Sequence, residues 1–467
     1  MTYNTRPSSF WTSLRSPRSI ILPPHLPRLI LADRYQPRYV RRCPVTQPII
    51  RQFQLLDWEH LPLSLASRKQ GDRVIPLAAY IGAFLLKSQQ RLPTMGALRS
   101  FLRDHPALIW ALGFPLVPSQ HRTNPFDIEL SLPSQRHLTK KLGQLPNPLL
   151  QPFFDAQVKW LQQKLGAEFG NTALIDTKHI LAWVIENNPK AYIKEGRFHK
   201  QQQPAGDKDC KVGCKRRKNQ QTPTKEGQPA SGKVSVGEYY WGYASGVVAT
   251  KVPDIGEFVL AEITQTFDHS DPSYFFPLME QVEARLGFRP AFGAADAAFD
   301  AFYVYDYFHN MGKGGFAAIP LRQMLSQPRR FDPSGLPLCE AELAMPLKST
   351  FVNRTSMVQH RRGRYVCPLL HPQKSADTCP INHKKWPDGG CKMVMPTAEG
   401  ARIRYQLDRE SEQYKQVYKQ RTAVERIFSQ AVAYGIERPK LRNQQAIANS
   451  NTLIYLLINL RAMQKLA

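Results

Sequence analysis

Three acidic residues occupy positions from which their carboxylates could hold divalent metal ions. Asp176 interrupts a short apolar run, residues 172–180, that is typical of a buried strand. Asp296 ends a second strand-like run, and Glu425 lies in residues 410–433, which predict a helix. A lone buried carboxylate is costly, and Mg²⁺ prefers oxygen ligands. Two metal ions on such acids could neutralise a scissile phosphate and activate an oxygen nucleophile, which is the chemistry of phosphodiester cleavage or transfer.

The predicted helix would aim its acid at the strand ends. Tyr418, Arg421 and Glu425 are spaced i, i+3 and i+7, so they share one helix face. An apolar stripe adjoins that face and would dock on a sheet: Val417, Val424, Phe428 and Ala431. The pattern leaves simpler interpretations open, because Arg421 and Glu425 could form an ordinary surface ion pair and Asp300 could be a helix cap.

The order strand acid, strand acid, helix acid resembles the DDE transposases of bacterial insertion sequences. The run from Tyr418 to Glu425 is similar to the first part of the Y-x2-R-x3-E-x6-K signature of one group of that family. Residues 175–178 resemble the strand that carries the family's first acid, and residues 295–300 resemble its second. The resemblance covers about residues 70–466. It implies an α/β ribonuclease-H-like core, which is a mixed sheet with flanking helices, together with a mostly β insertion and an N-terminal all-α domain.

The same resemblance implies roles for individual residues. Asp176, Asp296 and Glu425 would bind two Mg²⁺ (or Mn²⁺), and the enzyme would cleave DNA at the element ends and join the freed 3′-hydroxyl to target DNA. Arg421 would contact a phosphate, with Tyr418 beside it. The final Lys of the signature falls at Val432, which has no charge for a phosphate, and Lys440 or Arg438 would have to replace it. The expected partner is double-stranded DNA, bound by a homodimer on paired ends.

The rest of the chain divides into segments of different composition. Residues 1–60 predict a basic, Pro-rich, extended and partly disordered arm, because residues 1–51 contain nine Arg, eight Pro and one acid. Residues 61–165 predict a helical domain that binds DNA or only packs. Residues 170–322 predict the first part of the core, residues 323–409 a β and irregular insertion, and residues 410–467 the C-terminal helices.

A basic segment within the core predicts a mobile loop. Residues 196–237 are rich in Lys, Gln, Gly and Pro, a composition that buries little apolar surface. The run Lys215, Arg216, Arg217 and Lys218 would contact DNA phosphates, or would simply be solvated.

Cysteine and histidine recur at regular spacing within the insertion. Cys367, His371, Cys379, His383 and Cys391 follow the pattern C-x3-H-x7-C-x3-H-x7-C. Because zinc takes Cys and His ligands in tetrahedral sets, the pattern indicates a possible structural Zn²⁺. The spacing is not that of a standard zinc ribbon, so free thiols and surface histidines in an irregular loop are the alternative.

Charge and hydropathy restrict the functional classes. The chain has 63 Lys+Arg against 37 Asp+Glu, a formal net charge of +26, which implies a polyanionic partner. The longest apolar run, residues 80–86, is far shorter than the roughly twenty residues of a membrane span. Seven unevenly spaced cysteines suit a reducing compartment such as the cytoplasm. The resemblance to transposases of bacterial insertion sequences implies a nucleoid-associated protein of the bacterial cytoplasm. Two rivals stay open: a transposase-derived DNA-binding protein without catalysis, and a ribonuclease-H-like DNA nuclease.

Overall fold

A mixed sheet forms the centre of the molecule. The computed structural model describes residues 22–65, 74–120, 126–188, 196–216, 237–309, 314–322 and 329–467. Within them the central sheet comprises β1 (Thr172–Leu181), β2 (Lys211–Arg216), β3 (Gly237–Val252), β4 (Gly256–Thr266), β5 (Phe292–Ala294) and β6 (Phe316–Ala318). The strand order is β2-β3-β1-β5-β6, and β4 also pairs with β3. Strands β1–β4 pair antiparallel, whereas β5 and β6 run parallel to β1. The mixed α/β class predicted from the sequence is confirmed.

Helices make up the N-terminal part of the chain. Their bounds are α1 (Arg38–Arg41), α2 (Thr46–Phe53), α3 (Leu77–Gln89), α4 (Met95–Asp104), α5 (Pro106–Leu112), α6 (Ile128–Ser131), α7 (Gln135–Gln144) and α8 (Gln151–Leu165). Thr94 caps α4 by accepting a hydrogen bond from the N–H of Ala97 at 3.0 Å. A short 3₁₀ turn, Asn147–Leu149, separates α7 from α8.

The remaining helices flank the sheet. Their bounds are α9 (Phe275–Leu286), α10 (Phe302–His309), α11 (Gly400–Gln406), α12 (Glu412–Lys419), α13 (Thr422–Ala433) and α14 (Gln444–Leu466). The prediction of one continuous helix over residues 410–433 is wrong, because the chain turns at Gln420 and Arg421. Residues on both sides of the turn have high helix propensity, so the sequence does not indicate where the helix breaks.

The two faces of the sheet pack against different helices. On β1, Leu174 and Ile180 belong to the core that contains α13, α14 and the N-terminal helices. Ala173 and Ile175 point to the opposite face and join the core that contains α9 and α10. Side chains alternate along a strand, so Asp176 lies on the face of Leu174, towards the C-terminal helices.

Helix α14 lies along strand β4 and satisfies its polar groups. Asn459 both accepts a hydrogen bond from the N–H of Val259 and donates one to its carbonyl oxygen, each at 2.8 Å. Asn451 donates to the hydroxyl of Thr264 at 2.8 Å. Residues 451–460 are all buried, so this helix has no solvent-exposed face over that stretch. The polar residues of α14 face strand backbone and side chains rather than water.

Replacing Asn459 with Leu should destabilise the protein strongly. The substitution keeps the volume similar but leaves a buried N–H and a buried carbonyl of Val259 without partners, at a cost of roughly 2–4 kcal/mol. The midpoint of urea unfolding, followed by circular dichroism, should fall accordingly. Gln464→Leu on the exposed side of the same helix is the control and should leave the midpoint almost unchanged. Equal midpoints for both variants would contradict the role given to Asn459.

Two predicted segments differ from the structure. The prediction of an extended arm is wrong for residues 22–60, where Leu29, Val40 and Phe53 are fully buried against the helical domain. The predicted mobile loop is wrong for residues 196–216, because Cys210 is buried and β2 pairs with β3. Lys215 and Arg216 therefore belong to a strand, whereas residues 1–21, Arg217 and Lys218 lie outside the described residues.

The predicted insertion contains a small antiparallel sheet. Strands β7 (Leu347–Asn353), β8 (His360–Val366) and β9 (Lys392–Pro396) pair in that order. Irregular chain connects β8 to β9, and helix α11 follows β9 within the same predicted segment. Among the described residues, no helix combines the length and apolar character needed to cross a bilayer.

Candidate active site

Adjacent parallel strands bring Asp176 and Asp296 together. Leu174 of β1 pairs in register with Ala294 of β5. Each acid lies two residues beyond its member of that pair, so the acids occupy equivalent positions at the same edge of the sheet. The two acids are near enough for the charge of Asp296 to act on Asp176. Asp296 also accepts a hydrogen bond from the N–H of Ala298 at 2.8 Å, which starts the 3₁₀ turn Ala297–Phe299.

The electrostatics of this pair are unfavourable for two negative charges. Burial, followed by the charge of Asp296, raises the pKa of Asp176 to about 7. The N–H of Thr177 donates to Asp176 at 2.8 Å and acts against this rise. Burial also raises the pKa of Asp296. Burial and the neighbouring negative charges therefore disfavour ionisation of both acids.

A third carboxylate near the pair was missed in the sequence. Asp271 accepts a hydrogen bond from the hydroxyl of Thr177 at 2.7 Å, and burial raises its pKa. Its negative charge acts on both Asp176 and Asp296. In the sequence, Asp271 precedes Pro272 at the start of a predicted helix, where an acid is ordinarily a cap. What distinguishes Asp271 from an ordinary cap is its hydrogen bond with Thr177, the neighbour of Asp176. Only the folded structure reveals this contact.

Arg421 connects the strand acids to Glu425. The turn between α12 and α13 places Arg421 so that its Nη1 lies 3.4 Å from Asp176 and its Nη2 lies 2.6 Å from Glu425. Its guanidinium carbon also lies 6.0 Å from the ring centroid of Tyr418. The ion pair between Arg421 and Glu425 is thus present, but it forms part of a larger cluster that contains Asp176. Arg421 thus contacts Asp176 and Glu425 and lies near Tyr418, while Asp296 acts on Asp176 through its charge.

The donor set suits a hard divalent cation at the strand acids. Asp176 on β1 and Asp296 just beyond β5 offer carboxylate oxygens, and burial raises the pKa of both groups. Glu425 is 52% exposed and is held by Arg421. Among the described residues, no three His, Cys, Asp or Glu side chains are grouped closely enough to hold a metal ion. Glu425 would have to leave Arg421 to complete a three-acid set.

Asp300 has a structural role. Its side chain is fully buried and bound by Arg404, with 2.5 Å between Arg404 Nη2 and Asp300 Oδ2. It also accepts hydrogen bonds from the hydroxyl of Tyr305 and the N–H of Arg322. The alternative interpretation of Asp300 as a simple helix cap is therefore wrong, because the residue anchors α11 to the core.

The predicted basic residues do not all reach the acids. Lys440 lies over the ring of Trp183, with its Nζ 5.4 Å from the ring centroid, beyond the end of β1. Arg438 lines the cleft beside Trp183. Val432 is 38% exposed and leaves an apolar side chain at the position of the signature Lys.

The predicted zinc ligands separate into two groups. Cys367 follows β8 and Cys391 precedes β9, and because Val366 pairs with Lys392 the two thiols lie opposite each other. Burial, then the neighbouring Cys367 and Cys339, raise the pKa of Cys391 to about 12. Cys339 was missed because it lies far before the regular spacing. His383 instead faces Glu340 at 3.7 Å, and the five-residue set with His371 and Cys379 is not assembled in the described residues.

Comparison with known proteins adds no relative: neither the models of protein families nor the curated proteins match this sequence. The function is therefore inferred from the site and its surroundings.

Proposed function

We propose that this protein is a DNA transposase with a ribonuclease-H-like core. It would cleave DNA at the ends of a mobile element and transfer the 3′-hydroxyl into target DNA. One observation carries the proposal: Asp176 on β1 and Asp296 just beyond the parallel strand β5 lie at the same edge of the sheet, and Arg421, just before α13, joins Asp176 to Glu425. A mixed sheet in which β5 and β6 run parallel to β1 also supports such a core. The net charge of +26 suits a DNA partner.

The residues present define how such a site would work. Asp176 and Asp296 would hold Mg²⁺ (or Mn²⁺), and Glu425 would complete the set for two ions. When bound, the ions would neutralise charge on the scissile phosphate and activate the attacking oxygen. Asp176 would have to lose its proton first, so we expect metal binding to strengthen as the pH rises through about 7.

Arg421 would exchange partners when DNA binds. In the structure its guanidinium spans Asp176 and Glu425. Divalent charge on Asp176 would weaken the attraction of Arg421 for that acid. The guanidinium would then be available to a phosphate group, whose oxygens can accept two hydrogen bonds from it as a carboxylate does. Tyr418, beside Arg421, would pack against the same stretch of backbone.

An end-cleavage assay tests this proposal. Purified full-length protein would be incubated with Mg²⁺ or Mn²⁺ and a linear duplex that carries the inverted repeats flanking the reading frame. We expect nicks at the repeat boundaries and, with added plasmid, joined products. Binding of the repeats without cleavage would favour the transposase-derived DNA-binding protein. Cleavage without preference for the repeats, and without joined products, would favour the nuclease. Sedimentation with and without paired ends would test the expected dimer.

Structural zinc stays a prediction for the Cys/His pattern of the insertion. The predicted ligands, Cys367, His371, Cys379, His383 and Cys391, are not grouped in the described residues, so the irregular chain between β8 and β9 would have to rearrange to form a tetrahedral set. Protein purified without chelator should contain roughly one zinc per chain, and Cys391→Ser should lose it. A zinc content below about half per chain in the wild-type protein would contradict the prediction.

A further inference from the structure

A cavity of about 330 Å³ lies between the inserted sheet and helices α10 and α11. Its lining includes polar side chains from both sides: Arg329, Asn353, Ser356, His360, Arg362 and Arg404. The start of α10, six residues beyond Asp296, forms another wall. The cavity therefore lies close along the chain to Asp296 and contains neither Asp176 nor Asp296.

The cavity carries more positive than negative charge. Arg404 is neutralised by the fully buried Asp300 behind the wall. Arg329 and Arg362 instead donate to one backbone oxygen, the carbonyl of Val394, at 3.5 and 3.3 Å. No carboxylate side chain is among the described lining residues, and residues 323–328, which precede Arg329, contain no Asp or Glu. Two guanidiniums are thus held near each other with neutral partners.

An unpaired donor on Arg362 and the electrostatics of Arg329 also indicate that these guanidiniums lack an anionic partner. Nε of Arg362 is buried and has no hydrogen-bond partner, which ordinarily costs 1–3 kcal/mol. Burial lowers the pKa of Arg329, and the charges of Arg404 and Arg362 act in the same direction. A bound anion would compensate the charges of both guanidiniums. Guanidinium groups match the oxygens of phosphate in a bidentate manner.

We infer that this cavity binds a phosphate group. Arg362 and Arg329 would be its principal ligands, and Asn353 and Ser356 offer further donors from the rim. A volume of about 330 Å³ is at the small end of ligand pockets and admits a phosphate with part of an attached sugar. A phosphate of the DNA backbone is the source that the proposed function supplies, and the DNA part of the inference rests on that function. A free phosphate compound is the other source of the same chemistry.

The test measures phosphate and DNA separately on the full-length protein. Calorimetric titration with inorganic pyrophosphate at constant ionic strength measures binding of the anion. Fluorescence anisotropy with a duplex of arbitrary sequence, about 30 base pairs long so that it crosses the protein, measures binding of DNA. Arg362→Met and Arg329→Met should each weaken DNA binding about 3- to 30-fold and reduce the dependence of log K on log salt by about 1. The same variants should lose pyrophosphate binding.

Arg361→Met is the matched control. Arg361 is exposed on β8 next to Arg362 but on the other face of the strand. The substitution therefore removes the same charge without changing the lining of the cavity. We expect less than about a twofold change in either assay. Arg362→Lys keeps the charge with fewer donors and should bind more tightly than Arg362→Met. It also serves if the Met variant fails to fold.

The outcomes separate the sources of phosphate. Loss of both signals in the Arg329 and Arg362 variants identifies backbone phosphate, and loss of the pyrophosphate signal alone identifies a free phosphate compound. Equal effects of Arg361→Met and Arg362→Met, or no effect of the Arg329 and Arg362 variants in both assays, would overturn the inference. A protein that binds pyrophosphate through Arg362 but never cleaves element ends would refute the proposed function and leave this site standing.

Discussion

Asp176→Asn and Asp296→Asn should each reduce metal-dependent cleavage of element ends by roughly 10³-fold or more. Each substitution keeps the shape of the side chain but replaces an anionic oxygen with an amide nitrogen that repels a cation. Charge stabilisation by a bound metal contributes several kcal/mol, and each 1.4 kcal/mol corresponds to about tenfold in rate. Single-turnover cleavage of end-labelled duplex in Mg²⁺ and in Mn²⁺ would measure the loss.

Binding of the DNA ends should survive these substitutions. The net charge becomes more positive, so affinity for the duplex, measured by gel shift without metal, should stay within about twofold of wild type. Asp254→Asn is the matched control, because Asp254 is exposed between β3 and β4 and its positive φ of 61° suits Asn. A variant of Asp176 or Asp296 that cleaves as fast as Asp254→Asn would remove that residue from the active site.

Glu425→Gln distinguishes the two interpretations of the helix acid. If Glu425 leaves Arg421 and joins the strand acids, its loss should be as severe as that of Asp296. If the ion pair with Arg421 is the whole role of Glu425, the variant should retain cleavage, because an exposed i,i+4 pair is worth only a few tenths of a kcal/mol. The same single-turnover assay decides between them.

The positions of the strand acids could be predicted because the pattern is local. A buried strand is a short apolar run, and an acid that interrupts or ends it is visible in the sequence at Asp176 and Asp296. The adjacency of β1 and β5 required pairing over more than a hundred residues, which the sequence gives only through resemblance. Arg421 was assigned to the right face, although the helix that was to carry it is broken at that residue.

Other features depended on contacts that no local pattern records. The Asn and Thr residues of α14 predict a polar helix face, yet they are buried because β4 presents backbone and side-chain groups to them. The Pro-rich residues 22–60 predict an extended arm, yet their scattered apolar residues fill the helical domain. Arg329 and Arg362 are more than thirty residues apart, and a shared backbone acceptor on β9 unites them.

Without metal, Asp176→Asn should stabilise the folded protein above neutral pH. Burial and Asp296 raise the pKa of Asp176 from 3.8 in the unfolded chain to about 7. Between these values the native state keeps a proton that the unfolded state has released, so the contribution of Asp176 to stability falls as the pH rises from about 4 to 7. The variant removes this cost, which is at most about 4 kcal/mol before the lost contact with Arg421 is subtracted. Its advantage in unfolding free energy over wild type should grow across that window.

Divalent metal should narrow the stability difference between wild type and Asp176→Asn. Wild type should gain about 2.7 kcal/mol when Mn²⁺ is present at a hundred times its dissociation constant, whereas Asp176→Asn should gain little. Glu262→Gln is the control: Glu262 is buried beneath α14, away from the site, and burial raises its pKa to about 7 as well. It should flatten the pH dependence in the same way and keep the full response to Mn²⁺. Thermal unfolding of wild type, Asp176→Asn and Glu262→Gln would be measured with and without Mn²⁺ at pH 5 and at pH 8. If Mn²⁺ stabilised Asp176→Asn as much as wild type, the ion would bind elsewhere.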